Sequence, residues 1–146
     1  MMNPAFAYSN IKEMVPIFIH VSSILKGLIE NEINQGNSNI NLTPYISKAA
    51  LDIIGLVGFK YVPFIGDIPI VENGVLKNKD LLSLLINTNK TLPDEETMTY
   101  EELKNLLMTF LIAGHDTTNV ATCWALYLLV QHPHEQDLLR EELVKA

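Results

Sequence analysis

Apolar residues recur at helical spacing along most of this 146-residue chain, and the pattern predicts an all-α fold. The predicted helices cover residues 10–34, 43–57, 78–87 and 100–132, and a further helix follows Pro133. Two of them show a clear buried side, which carries Ile17, Val21, Ile24, Leu25, Leu28 and Ile29 in the first and Ile46, Ala49, Ala50, Ile53, Ile54 and Val57 in the second. Residues 58–74 show no period and predict an irregular connection.

Capping residues and prolines set the ends of these helices. Thr43-Pro44 supplies an N-cap and a first-turn proline, and Thr99–Glu102 forms a capping box at the start of the longest helix. That helix ends near residue 132 because Pro133 cannot continue it. Pro16 predicts that the first helix either starts there or kinks, and the Asn-rich segment Gln35–Asn41 predicts a loop.

The longest predicted helix contains an apolar run, Leu106–Val130, that has a polar centre. Residues 113–118 read Ala-Gly-His-Asp-Thr-Thr. A glycine inside a helix costs about 1 kcal/mol relative to alanine, and an unpaired buried carboxylate costs far more. We therefore interpret the hexad as a place where another group approaches the helix closely and receives protons.

Helical geometry assigns distinct positions to the members of this region. Phe110, Ala113, Gly114 and Thr117 lie at i, i+3, i+4 and i+7 and share one helix face. Ala113 and Gly114 have almost no side chain, which leaves room for a flat partner against the backbone. Asp116 points about 100° away from Thr117 around the helix. An acid that reaches solvent beside a hydroxyl that faces a ligand predicts a two-step proton relay.

Composition and charge narrow the class of protein. A chain of this length predicts one domain, and an apolar content of 48% argues against disorder. The net charge of −7 excludes nucleic acid as an expected partner, because no basic stripe is present to neutralise phosphates. The acids concentrate on faces or helix starts that we expect to be solvated, namely Asp94–Glu96, Glu101-Glu102 and Glu135–Glu142.

The run Leu106–Val130 is long enough to cross a bilayer, which takes about 20 apolar residues. His115 and Asp116 would lie near its midplane, where charges are strongly disfavoured. We therefore expect a buried core helix and no membrane span. Residues 1–18 contain two prolines and no basic start before an apolar stretch, so no secretory or transit signal is expected.

Other reactive residues are expected to be structural. Cys123 is the sole cysteine, which excludes an intrachain disulfide, and its apolar surroundings predict a small buried side chain. Asp52 is expected to be exposed or to cap a neighbouring element. No metal site is predicted from the histidines: His115 and Asp116 should diverge on the helix, and the remaining candidates, His132 and His134, flank a proline at an exposed junction.

The hexad resembles the long-helix signature of the cytochrome P450 family, which reads Ala or Gly, Gly, any residue, Asp or Glu, Thr, and Thr or Ser. Similarity continues in the family's order through Trp124, Tyr127 and Leu128, Gln131-His132-Pro133 and Gln136–Glu142. Upstream, Asn3–Phe6 with Lys12–Met14, and Leu51–Gly55 with Gly58-Phe59, are similar to earlier helices of the family.

The resemblance implies a haem-dependent monooxygenase that takes electrons from an NADPH-dependent reductase, splits O2 and oxidises an apolar organic substrate. It implies that Ala113, Gly114, Thr117 and Thr118 contact haem b, with Thr118 bonded back to a helix carbonyl. It also implies that Thr117 hydrogen-bonds the oxygen ligand and that Asp116 passes protons through water. Three apolar residues are expected to border the substrate or to serve packing alone: Leu107, Phe110 and Leu111.

The resemblance covers only an internal part of the family's sequence, so we interpret the chain as a partial cytochrome P450 domain. It lacks the Glu-x-x-Arg pair and the Phe-x-x-Gly-x-x-x-Cys loop whose thiolate holds the haem iron. Residues 1–59 would be upstream helices, 60–96 a shortened irregular connection, and 97–146 the long helix and its successor. Intact eukaryotic relatives are commonly anchored in the endoplasmic reticulum membrane, and no such anchor is expected here.

Two alternatives stay open. Without a thiolate donor the isolated chain is expected to be inactive, and it is alternatively a non-catalytic helical remnant of a truncated gene or an incomplete gene model. An unrelated helical interaction domain would require the collinear similarities to be coincidental.

Overall fold

The computed structural model describes residues 8–59 and 80–145, and all regular elements in these ranges are α-helices. They are α1 (Tyr8–Asn34), α2 (Thr43–Phe59), α3 (Leu81–Thr91), α4 (Tyr100–Gln131) and α5 (Pro133–Lys145). The predicted all-α fold is therefore confirmed. The motif Asn3–Phe6 and the larger part of the predicted connection at 60–96 lie outside the described residues.

Helix α2 is the centre of the packing and contacts α1, α3 and α4. One core cluster joins Ile17 and Val21 of α1 to Ala49 and Leu56 of α2. The predicted buried sides of both helices thus meet each other. Asp52 lies on the same side of α2 and is fully buried, because its spacing from Ala49 and Leu56 places it on the packed face. Of the two expectations for Asp52, exposure was wrong, and capping of a neighbouring element stays a prediction.

Helix α1 contains Pro16 in its interior. The helix begins at Tyr8 and continues through the proline, so it does not start there. A proline removes one backbone hydrogen bond, and the buried side chains of Met14 and Ile17 on either side supply packing that the sequence pattern undervalued. Gly36 follows the helix with φ 87°, a left-handed conformation that suits glycine at a helix end.

Helix α3 is held at its start by Asp80 and along its length by α4. The Asp80 carboxylate accepts hydrogen bonds of 2.8 Å from both the backbone N–H and the hydroxyl of Ser83. Leu81 and Leu85 form a second core cluster with Leu103 and Phe110 of α4, among others. The helix extends to Thr91, four residues beyond its predicted end.

Helix α4 begins at the predicted capping box. Glu102 N–H donates to the Thr99 hydroxyl at 3.3 Å, and the Glu102 carboxylate accepts from Thr99 N–H at 2.8 Å and from its hydroxyl at 2.9 Å. These bonds from the Thr99 backbone and side chain hold the pKa of the exposed Glu102 below its ordinary value. The local sequence therefore fixes the start of α4.

The expectation that α4 is a buried core helix was wrong for the described structure, because none of its 32 residues is fully buried. Only one side of α4 packs against α2 and α3, and its other sides carry exposed apolar residues such as Val120 and Trp124. Within residues 8–59 and 80–145, no helix meets the length and hydropathy needed to cross a membrane.

Candidate functional site

The hexad lies near the middle of α4, where this helix packs against α2. Gly114 and His115 are half-buried, whereas Ala113, Asp116, Thr117 and Thr118 are exposed. The region therefore has one side directed at α2 and another directed outward. These two sides have different chemistry.

Gly114 faces α2. A Cβ added to Gly114 would lie 2.9 Å from Ile54 Cδ1 and 3.0 Å from Ile54 Cγ1, closer than side chains normally approach. The room that we had interpreted as space for a flat partner is occupied here by a side chain of α2. The missing side chain of Gly114 thus allows two helices to pack closely, a purpose that the sequence pattern did not reveal.

The four residues predicted to share one face lie across the border between the packed and exposed sides. Phe110 packs against the α3 cluster, and Gly114 packs against Ile54. Ala113 and Thr117 are exposed. A flat group that approaches from outside would therefore meet Ala113 and Thr117.

The Thr117 hydroxyl is oriented by its own helix. Its Oγ1 donates a hydrogen bond of 2.6 Å to the Ala113 carbonyl oxygen. This bond engages the single hydroxyl proton and leaves the oxygen lone pairs free to accept a hydrogen bond. The bond back to a helix carbonyl that we predicted for Thr118 is present at Thr117.

His115 and Asp116 converge, so the prediction that they diverge was wrong. His115 Nδ1 lies 3.1 Å from Asp116 Oδ1, and His115 Nε2 lies 2.9 Å from Ser47 Oγ of α2. The prediction considered only the angle of about 100° between neighbouring residues on a helix. Side chains as long as those of His and Asp can reach across that angle. Sequence reasoning gave His115 no role and did not identify Ser47, because the two residues are 68 positions apart.

The exposed side of the hexad fits the haem that the family resemblance implies. Ala113 and Thr117 are small and lie one turn apart, and the exposed Val120 and Trp124 continue the same side with apolar surface. Cys123 lies about 120° around the helix from Thr117. It is half-buried rather than buried, and its Sγ donates to Asn119 Oδ1 at 3.7 Å, so it is not placed to be an axial ligand on that side.

No group of three potential metal-ligating side chains is found among the residues described. The apolar residues that precede the hexad border a pocket of about 370 Å³ between α3 and α4. Leu107 and Leu111 line this pocket together with Leu82, Ile86 and Phe59. Phe110 serves the α3 packing.

Comparison with known proteins gives relatives of one kind. A family profile described as Cytochrome P450 matches residues 71–146. Cytochrome P450 monooxygenase 128 of Postia placenta is 28% identical over 97% of this chain and 41% of its own length. Cytochrome P450 monooxygenase 91 of the same fungus is 23% identical over 100% of this chain and 42% of its own length. Ganoderic acid synthetase CYP5150L8 of Ganoderma lucidum is 42% identical over 48% of this chain and 13% of its own length.

The chain spans about two fifths of the length of the curated relatives that it matches nearly throughout. The similarity to monooxygenase 128 extends over 222 residues, more than the 146 of this chain, so that relative has residues within the aligned region that this chain lacks. No solved structure gives a significant match.

Proposed function

The chain belongs to the cytochrome P450 family, and from this premise we propose that α4 is the oxygen-activating helix of a haem-dependent monooxygenase. The supporting observation is the exposed pair Ala113 and Thr117 with the exposed carboxylate of Asp116 beside it. In this proposal the substrate is an apolar organic molecule, and electrons reach the intact enzyme from an NADPH-linked reductase.

Haem b held by a thiolate supplies one-electron and O2 chemistry when it is bound. Ala113 leaves space beside the helix for the cofactor plane, and Thr118 completes the proposed cofactor-binding set, whereas Gly114 packs against Ile54 and is not part of it. Thr117 holds a hydroxyl oxygen toward that space, and this oxygen accepts a hydrogen bond while its own O–H donates to the Ala113 carbonyl. Asp116 has a side chain that is 69% exposed, so it exchanges protons with water beside Thr117.

We propose further that the 146-residue chain alone does not oxidise substrate. Its single cysteine, Cys123, bonds to Asn119 and points away from the Thr117 side. The alternative function is a non-catalytic helical remnant. The residues that monooxygenase 128 carries in excess within the aligned region support a shortening inside this chain, and we propose residues 60–96 as its place.

The monooxygenase proposal is tested in a chimera that receives its remaining segments from a relative. Residues 98–146 of this chain replace the aligned segment of Cytochrome P450 monooxygenase 128, and haem content, NADPH consumption, product and hydrogen peroxide are measured. Thr117→Ala is expected to release peroxide at the expense of product. Asp116→Asn is expected to slow turnover about 10²-fold, as the loss of a general acid does, with haem content unchanged.

Matched controls on the same chain separate chemistry from helix stability. Thr109 is also exposed on α4 and makes the same bond back to a carbonyl, 2.8 Å to Asn105, so Thr109→Ala should leave coupling intact. Asp137, on α5, pairs with Arg140 at the surface, so Asp137→Asn should leave turnover intact. If a haem-loaded chimera keeps its coupling and rate in Thr117→Ala and Asp116→Asn, the proposed roles of both residues are wrong.

A further inference from the structure

Three side chains form a row between α2 and α4, joined by one hydrogen bond and one close polar contact. Ser47 Oγ lies 2.9 Å from His115 Nε2, and His115 Nδ1 lies 3.1 Å from Asp116 Oδ1. The imidazole therefore uses one nitrogen on each neighbour. The row ends at the carboxylate for which we propose proton delivery.

The chemistry of the end groups fixes the tautomer of the ring. A carboxylate oxygen 3.1 Å from Nδ1 of His115 favours the tautomer with the proton on that nitrogen, because a lone pair there would face the negative charge. A neutral ring that is protonated at Nδ1 has a lone pair at Nε2. The Ser47 hydroxyl then donates to Nε2.

The packing of α2 against α4 keeps Ser47 next to His115. Ser47 and Ile54 are seven residues apart and lie on one face of α2. Ile54 packs against Gly114, the neighbour of His115 in sequence. A side chain at position 114 would push α2 outward and lengthen the bond between Ser47 and His115. The close packing at Gly114 and the hydrogen bond at His115 are thus parts of a single contact.

We propose that His115 is a positioning residue for Asp116 and that Ser47 holds the His115 ring in the required orientation and tautomer. This inference rests on the proposed function, in which Asp116 delivers protons. An exposed carboxylate on a helix samples several rotamers. The close contact between His115 Nδ1 and Oδ1 restricts it and leaves Oδ2 for water. The row thus ties the direction of the acid to the packing of α2 against α4.

The order Ser, His, Asp also occurs in hydrolases, where the serine attacks a carbonyl group. That reaction needs backbone N–H donors aimed at the developing oxyanion. Ser47 lies inside α2, whose backbone N–H groups in this region are engaged in the helix, as Ile46 N–H is with the Leu42 carbonyl. The geometry therefore favours a positioning role over a nucleophilic one.

The first test determines the tautomer of His115 in the 146-residue chain without haem. Long-range ¹⁵N–¹H correlation spectra are recorded near pH 9, well above the ordinary imidazole pKa of about 6.5. We expect the proton on Nδ1 and a hydrogen-bonded lone pair on Nε2. His132 serves as an internal reference, because its Nδ1 lies 2.8 Å from the Leu128 carbonyl and must also donate. A His115 ring protonated at Nε2 would overturn the proposal.

The second test asks whether Ser47 acts on Asp116 through His115. The side-chain rotamer populations of Asp116 are measured from three-bond couplings in wild type and in Ser47→Ala, whose altered atom is not in contact with Asp116. We expect the dominant rotamer of Asp116 to lose population in Ser47→Ala and to recover in Ser47→Thr, which retains the hydroxyl. Ser23→Ala is the control, because Ser23 bonds only to the Ile19 carbonyl in α1.

The two tests keep this inference separate from the monooxygenase proposal. Unchanged Asp116 rotamers in Ser47→Ala would show that His115 does not position the acid, whatever the chimera does. If the tautomer is confirmed but the Thr117→Ala and Asp116→Asn chimeras show normal coupling, the role of His115 stands. The proposed oxygen chemistry would then be wrong. Circular dichroism of each variant verifies that the helices are intact.

Discussion

Helices α2 and α4 are both apolar, yet they differ in how far their residues are buried. Seven of the 17 residues of α2 are buried, whereas none of the 32 residues of α4 is. Helix α2 is surrounded by α1, α3 and α4, while α4 packs along one side only. Helix α2 therefore forms the core of this part of the fold, and α4, which carries the hexad, packs on its outside.

The largest expected effect comes from truncating one leucine in each helix. Leu56 of α2 is 2% exposed and belongs to the core cluster, whereas Leu128 of α4 is 49% exposed. Leu56→Ala should lower the free energy of unfolding by about 2–5 kcal/mol, and Leu128→Ala should change it by no more than about 0.5 kcal/mol. Urea unfolding followed by circular dichroism measures both. Equal losses would mean that α4 is covered in solution.

A smaller effect is expected where the two helices touch. Gly27 has no atom near the place of a Cβ, so Gly27→Ala should stabilise α1 by about 1 kcal/mol. Gly114→Ala should be less favourable than Gly27→Ala by about 1–3 kcal/mol, because the added methyl group overpacks against Ile54. In an Ile54→Val background, which removes Cδ1, much of this difference should disappear.

A double-mutant cycle in thermal unfolding makes that comparison quantitative. If Gly114→Ala and Gly27→Ala have equal effects, or if Ile54→Val does not change the cost at position 114, then α2 and α4 are not in close contact at Gly114.

The smallest effect concerns the capping box that begins α4. The pKa of Glu102 is lowered from 4.5 by hydrogen bonds from Thr99. A depressed pKa in the folded state adds stability that is present above the unfolded value and is lost as the pH falls through the folded value. The difference in melting temperature between wild type and Glu102→Gln should therefore shrink from about pH 6 to about pH 3.

Glu101→Gln is the matched control for the capping box, since it removes a charge from the same helical turn without touching Thr99. A Glu102→Gln difference that stays constant with pH, or that Glu101→Gln reproduces, would assign the effect to general charge and not to the cap.

Local signals in the sequence predicted local structure well. The capping box spans four residues, and the apolar spacing that placed Ile17 and Val21 in the core repeats within one helix. In each case the residues that form the pattern also make the interactions that stabilise the structure. The end of α3 was missed, because the helix continues to Thr91, whereas α1 ends at residue 34 as predicted and runs through Pro16.

The site depends on contacts that no local pattern contains. The hexad was found because Gly, Asp and Thr are unusual in an apolar helix, but its division into a packed and an exposed side depends on Ile54, sixty residues earlier in the chain. The bond between Ser47 and His115 joins two helices in the same way. The apolar run Leu106–Val130 shows that α4 is rich in apolar residues, but not which of them pack against other helices. The predicted burial of α4 was wrong for this reason.

The contact at Gly114 has a consequence for the use of the hexad as a family signature. Substitution at this position is opposed by helix packing even before any cofactor is considered, whereas the side chain of Thr117 is exposed. Under the proposed function, a copy of this chain without oxygen chemistry would be free to vary at Thr117 but would still retain its glycine. The hydroxyl is therefore the more informative half of the signature for activity, and the glycine for ancestry.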